Sequence, residues 1–99
     1  MNIKIHSIRF NADAKLEGFV ENKVKKLGQF YDDIMGAEVF LRLDKSQNLE
    51  NKITEIKVEI PGSHLFAKKK SKTFEESTDI AVDALRRQIV KHKEKIRGV

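Results

Sequence analysis

The sequence predicts an α/β (α+β) two-layer sandwich in the order β-α-β-β-β-α, a four-stranded sheet with two helices packed on one face. Three observations carry this expectation. Four short stretches alternate apolar and polar residues with the period of a strand. Two longer stretches repeat apolar residues at three and four positions, the period of a helix. The strands show only one consistently apolar side, so one face of the sheet is left open.

The opening residues 2–8 alternate, with Ile3 and Ile5 on one face, and read as a strand. Asn11 is placed to cap the helix that follows, and Asp13 sits in its first turn, where the helix dipole favours an acid. Leu16, Phe19, Val20, Val24 and Leu27 then define an amphipathic helix over roughly 13–28. Gly28 is expected to end it, with Phe30 and Tyr31 packing just beyond.

Asp32-Asp33 and Gly36 mark a turn. Ala37, Val39, Leu41 and Leu43 alternate with polar or outward positions and form the second strand. Ser46 to Asn51 is a polar connection, and Thr54, Ile56, Val58 and Ile60 give the third strand. Pro61-Gly62 fits a hairpin turn into a fourth strand from Ser63 to about Lys70. Thr73-Phe-Glu-Glu76 is a capping box, in which the hydroxyl caps the helix start and Glu76 reaches back. A long helix follows over roughly 73–97, with Phe74, Thr78, Ala81, Leu85, Ile89 and Ile96 along one side. The last three strands make an antiparallel meander. The first joins it through a helical crossover and is expected to lie parallel to a neighbour.

Ninety-nine residues form one small domain that buries about 60–65% of its unfolded surface, enough for a single core. With 39% hydrophobic and 35% charged residues the chain is polar, yet not disordered in composition. It has no cysteine, which excludes disulfides and thiolate metal sites. No stretch reads as a signal peptide or a membrane span, and a cytoplasmic address is expected.

The net charge of +5 is concentrated at one end. From Ala84 to Val99 stand Arg86, Arg87, Lys91, Lys93, Lys95 and Arg97 against Glu94 alone, while acids and bases cancel in the rest of the chain. A field on one element selects a polyanionic partner. On the last helix Arg87, Lys91 and Lys95 make one stripe, and Arg86, Lys93 and Arg97 make the opposite flank, read as solvated surface. With the helices side by side, Lys15, Lys23 and Lys26 of the first are expected to face the Arg87 stripe across a groove. Lys68, Lys69 and Lys70, with Lys72, form a second basic run. It reads either as a phosphate contact beside a helix N-terminus or as lysines that blunt an edge strand.

No catalytic arrangement is evident. His6, His64 and His92 lack partners at ligand spacing, and there is no phosphate loop, nucleophile elbow or zinc motif. Asp32-Asp33 reads as turn chemistry, Glu75-Glu76 as acids suited to a helix start, and His92 as a core-facing histidine. The phenylalanines fall mostly at core positions, which leaves Tyr31 as a lone stacking candidate. No enzyme activity, cofactor or metal is expected.

The stretch from Thr73 to Lys95 resembles the second helix of the ribosome hibernation-promoting factors, also described as the ribosome-associated inhibitor or sigma-54 modulation family. The matching residues are Asp79, Val82, Leu85-Arg86-Arg87-Gln88-Ile89 and Lys91-His92-Lys93. In the first helix Leu16, Phe19, Val20, Lys23, Lys26 and Leu27 fit the family pattern, and the strand order agrees. The resemblance covers essentially the whole chain. It implies a fold like that of double-stranded-RNA-binding domains. It also implies binding to the small ribosomal subunit and its 16S ribosomal RNA, and to whole ribosomes, at the messenger RNA channel and the A and P transfer RNA sites. Translation would be blocked sterically and idle ribosomes preserved in stationary phase or stress.

Among basic family positions it matches Lys23, Lys26, Arg87 and Lys91, extended by Lys93 and Lys95, with the Arg87–Lys91–Lys95 side favoured for RNA. Two positions depart from the family. Ala84 replaces a lysine common on the RNA-facing side, for which Lys68, Lys69 and Lys70 would compensate, and Glu75 replaces a tyrosine. Residues 1–99 are expected to be a single short-type ribosome-binding domain, monomeric when free, without the C-terminal dimerisation domain of long members. The alternatives are an off-ribosome double-stranded-RNA-binding module and a regulator of a protein partner such as sigma-54.

Overall fold

The computed structural model describes residues 1–45 and 49–96. Strand β1 (Asn2–Ile8) leads to helix α1 (Ala14–Lys25), which tightens into a short 3₁₀ helix over Lys26–Gln29. Strands β2 (Gly36–Leu43), β3 (Lys52–Ile60) and β4 (Ser63–Ser71) follow, and helix α2 (Phe74–Ile96) comes last. The sheet order is β1-β2-β3-β4. β1 runs parallel to β2, and the other pairs are antiparallel. This is the expected architecture. One buried cluster joins Val20, Val24 and Leu27 of the first helical segment to Val39, Leu41, Ile56 and Val58 of the sheet and to Ala81, Leu85 and Ile89 of α2. Both helices therefore share one face.

The local chemistry differs from expectation at several ends. Asp13, not Asn11, caps α1: its backbone is extended and its carboxylate accepts the Leu16 N–H at 2.8 Å. Asn11 stands too early in the chain to reach that amide. Gly28 does not end the helix but lies within the 3₁₀ segment, which closes where the Phe30 N–H meets the Leu27 carbonyl at 3.0 Å. The polar connection expected from Ser46 lies partly outside the described residues. At its base the Asp44 N–H donates to the Asn51 carbonyl at 2.8 Å, and β3 begins at Lys52, ahead of Thr54. Gly62 has a φ of 75°, the left-handed value that the turn after Pro61 requires and that glycine adopts without strain.

The start of α2 follows the capping box in part. Thr73 Oγ1 accepts the Glu76 N–H at 3.0 Å. Glu76 does reach back, but to the buried hydroxyl of Ser71 at the end of β4, which donates to its carboxylate. Phe74, the first residue of α2, stacks on Phe10 with ring centroids 4.9 Å apart, closing that end of the core. A cap hydroxyl of this kind contributes about 1 kcal/mol. Thr73→Ala is accordingly expected to lower unfolding free energy by about that amount, read as a lower urea midpoint with an unchanged slope.

Candidate nucleic-acid interface

The basic residues of α2 are aimed by its buried side. Phe74, Thr78, Ala81, Leu85 and Ile89 face the sheet, and the two shoulders diverge from that seam. Ile96, expected on the same line, is exposed because the helix has by then run past the core.

One shoulder leans on α1 and the 3₁₀ segment. Lys23 Nζ meets Asp79 at 2.9 Å and lies 5.5 Å from the Phe19 ring centroid. The Arg86 guanidinium sits 6.0 Å from the Phe30 ring centroid, and Lys93 Nζ donates to the Phe30 carbonyl at 2.9 Å. His92 is half-buried and packs edge-on against Tyr31, which agrees with its core-facing reading. Partial burial first, and the Asp33 carboxylate second, push the Tyr31 phenol above its ordinary range, so it remains a neutral donor at physiological pH.

The other shoulder overlooks β4. Gln88 Nε2 donates to the Phe66 carbonyl at 2.9 Å. Lys91 and Lys95 line an open cleft of about 500 Å³ with Ser63 and Leu65. The expectation of a groove with Lys15, Lys23 and Lys26 facing the Arg87 stripe is therefore corrected. Arg86 and Lys93 meet the α1 side, while Lys91 and Lys95 stand over the opposite edge. The cause is rotational: with Leu85 and Ile89 buried, positions three and four apart on the other flank turn toward β4. Lys26, Arg87, Lys91 and Lys95 are all exposed. Ala84 is half-buried and packs against the core cluster, whereas Glu75 is exposed.

An acid that the sequence reading left unassigned organises the middle of α2. Asp83 receives Arg86 at 2.8 Å and also takes Arg87, one helical turn along. The hydrogen bond from Arg86, reinforced by the charge of Arg87, holds the Asp83 carboxyl below the usual aspartate range.

The run Lys68-Lys69-Lys70 does not form one patch, because strand side chains alternate between faces. Lys69 pairs in register with the buried, helix-facing Thr54. Lys68 and Lys70 point from the open face and reach Glu55 at 4.0 Å and Asp44 at 3.2 Å. Their strand is an edge of the sheet.

The phenylalanines also depart from expectation: Phe74 alone among them is buried, while Phe30 and Phe66 are exposed and Phe40 is half-buried on the open face. For Phe40 and Phe66 strand register, invisible in composition, decides this. Among the described residues no three His, Asp or Glu side chains are gathered to hold a metal. No helix among those residues is long and apolar enough to cross a membrane.

Fold and surface together define a small α+β domain whose long last helix is acidic in its first half and basic in its second. Residues 3–97 match the family described as "Sigma 54 modulation protein / S30EA ribosomal protein", and the chain belongs to that family. A ribosome hibernation promoting factor of Azotobacter vinelandii is 28% identical over 95 residues, covering 96% of this chain and 85% of that protein. One from Klebsiella oxytoca is 27% identical over 97 residues, covering 98% and 96%. Among solved structures, a ribosomal subunit interface protein from Coxiella burnetii shares the fold with a TM-score of 0.84 at 22% identity, covering 95% of this chain and 99% of that one. The Thermus thermophilus Protein Y N-terminal domain gives 0.80 at 26%, covering 93% and 99%.

The Asp83 pairs make a pH-dependent contribution of known sign. A depressed carboxyl pKa stabilises the fold above the unfolded aspartate range, near pH 4, and that contribution is lost as pH falls through the folded value. The stability difference between the wild type and Asp83→Asn is expected to be constant near neutrality and to shrink toward zero in acid, as urea titrations at several pH values would reveal.

Proposed function

We propose that this chain is a ribosome hibernation factor of the cytoplasm. It binds the small ribosomal subunit through its helical layer and blocks the messenger RNA channel and the A and P transfer RNA sites. The observation that carries this reading is the exposed Arg87–Lys91–Lys95 shoulder in the C-terminal half of α2, within the segment 84–99 that carries the net charge. None of these three side chains has a place in the core; Lys91 and Lys95 face an open cleft, and Arg87 is engaged by the exposed Asp83, a surface pair that a phosphate can replace. Family membership and the names of its relatives support the same reading.

Lys26 adds an exposed cation at the far side of the layer, and Lys23 and Lys93 act as braced cations between the helices. Lys69 flanks α2 from β4. The binding rests on phosphate contacts, so it weakens with salt. Shape rather than base identity sets the position, because the wide RNA minor groove and its sugars offer mainly shape. The mechanism is occupation of space, and no residue is asked to perform a reaction.

Sedimentation with ribosomes through a sucrose gradient at moderate salt tests this. The wild type is expected in the small-subunit and whole-ribosome fractions. Arg87→Glu combined with Lys91→Glu is expected to reduce the bound fraction about tenfold or more while leaving the circular dichroism unchanged. Persistent binding of that variant would relocate the interface. A plain RNA duplex in excess should compete poorly, and efficient competition would favour an off-ribosome duplex-binding role.

A further inference from the structure

The open face of the sheet, on the side away from both helices, carries a second basic cleft. Arg9, Arg42, Lys45 and Lys68 surround a floor of Ile8 and Ile53 in a cleft of about 340 Å³. Among the described residues Asp44 is the one acid in its wall, and it engages Lys70 at 3.2 Å. Glu55 lies beneath with little exposure and holds Arg42 at 2.9 Å and Lys68 at 4.0 Å, fixing both cations at the rim. Arg9 and Lys45 pair with no acid among the described residues. Arg42 keeps a buried Nε without a hydrogen-bond partner. Arg9 has a φ of 66°, a left-handed conformation that non-glycine residues rarely adopt.

Beside this cleft stands an aromatic pair. His6 and Phe40 stack with centroids 4.9 Å apart and planes inclined by 18°. In the β1–β2 register His6 faces Phe40 and Ile8 faces Arg42, so the stack and the cleft are adjacent steps on the same two strands. Phe66 adds an exposed ring on β4. Rings on a sheet beside clustered cations fit a single strand, whose phosphates meet the cations and whose bases lie against ring faces. A duplex keeps its base faces stacked internally and has no use for the apolar floor or the rings.

We propose that the open sheet face is a second nucleic-acid site that takes a single-stranded RNA segment, with a phosphate held among Arg9, Arg42 and Lys45 and a base against the His6–Phe40 stack. The site is independent of the helical shoulder, and the sheet separates the two. One molecule can therefore engage folded RNA on the helical side and a single strand on the other.

The probe is a short fluorescein-labelled oligouridylate at low salt, followed by anisotropy and by amide chemical shifts of the wild-type protein. Shifts are expected to cluster at Arg9, Phe40 and Lys45. Arg9→Gly with Lys45→Glu is expected to weaken binding about tenfold, and Phe40→Leu to weaken it severalfold. Glycine accepts the φ of position 9 freely, so the first variant keeps its fold. Arg87→Glu with Lys91→Glu is expected to bind the oligonucleotide within about twofold of wild type. Absence of binding, shifts confined to α2, or unchanged affinity of the Arg9→Gly, Lys45→Glu variant would overturn the proposal. Failure to sediment with ribosomes would bear only on the helical face.

Discussion

The seat of α2 on β3 and β4 determines where every cation of the helical layer points. Its apolar line, Ala81, Leu85 and Ile89, is fully buried in the common cluster. Three buried hydroxyls fix the rotation at the N-terminal half: Thr54 Oγ1 of β3 lies 2.6 Å from Ser77 Oγ and 3.3 Å from Thr78 Oγ1. Ser77 also donates to the Phe74 carbonyl at 3.2 Å. A buried hydroxyl without a partner costs about 1–3 kcal/mol, so the helix has one rotational setting in which all three are satisfied. Turning α2 by one residue, about 100°, would bury Arg86 and expose Leu85. The hydrophobic and hydrogen-bonding requirements agree, and the basic shoulders are their by-product.

That setting gives the two shoulders different work. On the α1 side, Lys23 is tied to Asp79, Lys93 to the Phe30 carbonyl, and Arg86 to Asp83 and the Phe30 ring. These cations join the helices. On the β4 side, Lys91 and Lys95 stand in an open cleft, and Arg87, a turn earlier, is held by an exposed ion pair with Asp83. Solvent screens an exposed pair of this kind, so Arg87 leaves Asp83 readily for a phosphate. The same division holds across the sheet. Glu55 anchors Arg42 and Lys68 on the open face, while Arg9 and Lys45 lie at the rim of that cleft.

How much of this is legible in the chain depends on how far apart the deciding residues lie. The strands, both helices, the parallel first strand and the hairpin at Gly62 follow from local alternation, spacing and turn chemistry. Thr73 capping the Glu76 amide is a contact three residues apart and reads directly. The Asp83 clamp, with partners three and four residues on, was equally open to a helical-spacing argument. Asn11 and Asp13 are both good caps by residue type, and only the backbone at Asp13 separates them.

The sequence by itself determined the α+β class and placed the charge excess in residues 84–99, because periodicity and composition are local properties. It also supplied the family, through residues on that helix. Only the tertiary structure decided which shoulder of α2 faces α1, that Lys68 and Lys70 part from Lys69, and that Phe40 and His6 stack beside the Arg9–Arg42 cleft. Each of these depends on strand register or on the packing of one element against another. Those pairings bring together residues far apart in the chain, such as His6 with Phe40 and Lys93 with Phe30. Local pattern carries no information about such partners. The free energy that selects them comes from burying the shared core.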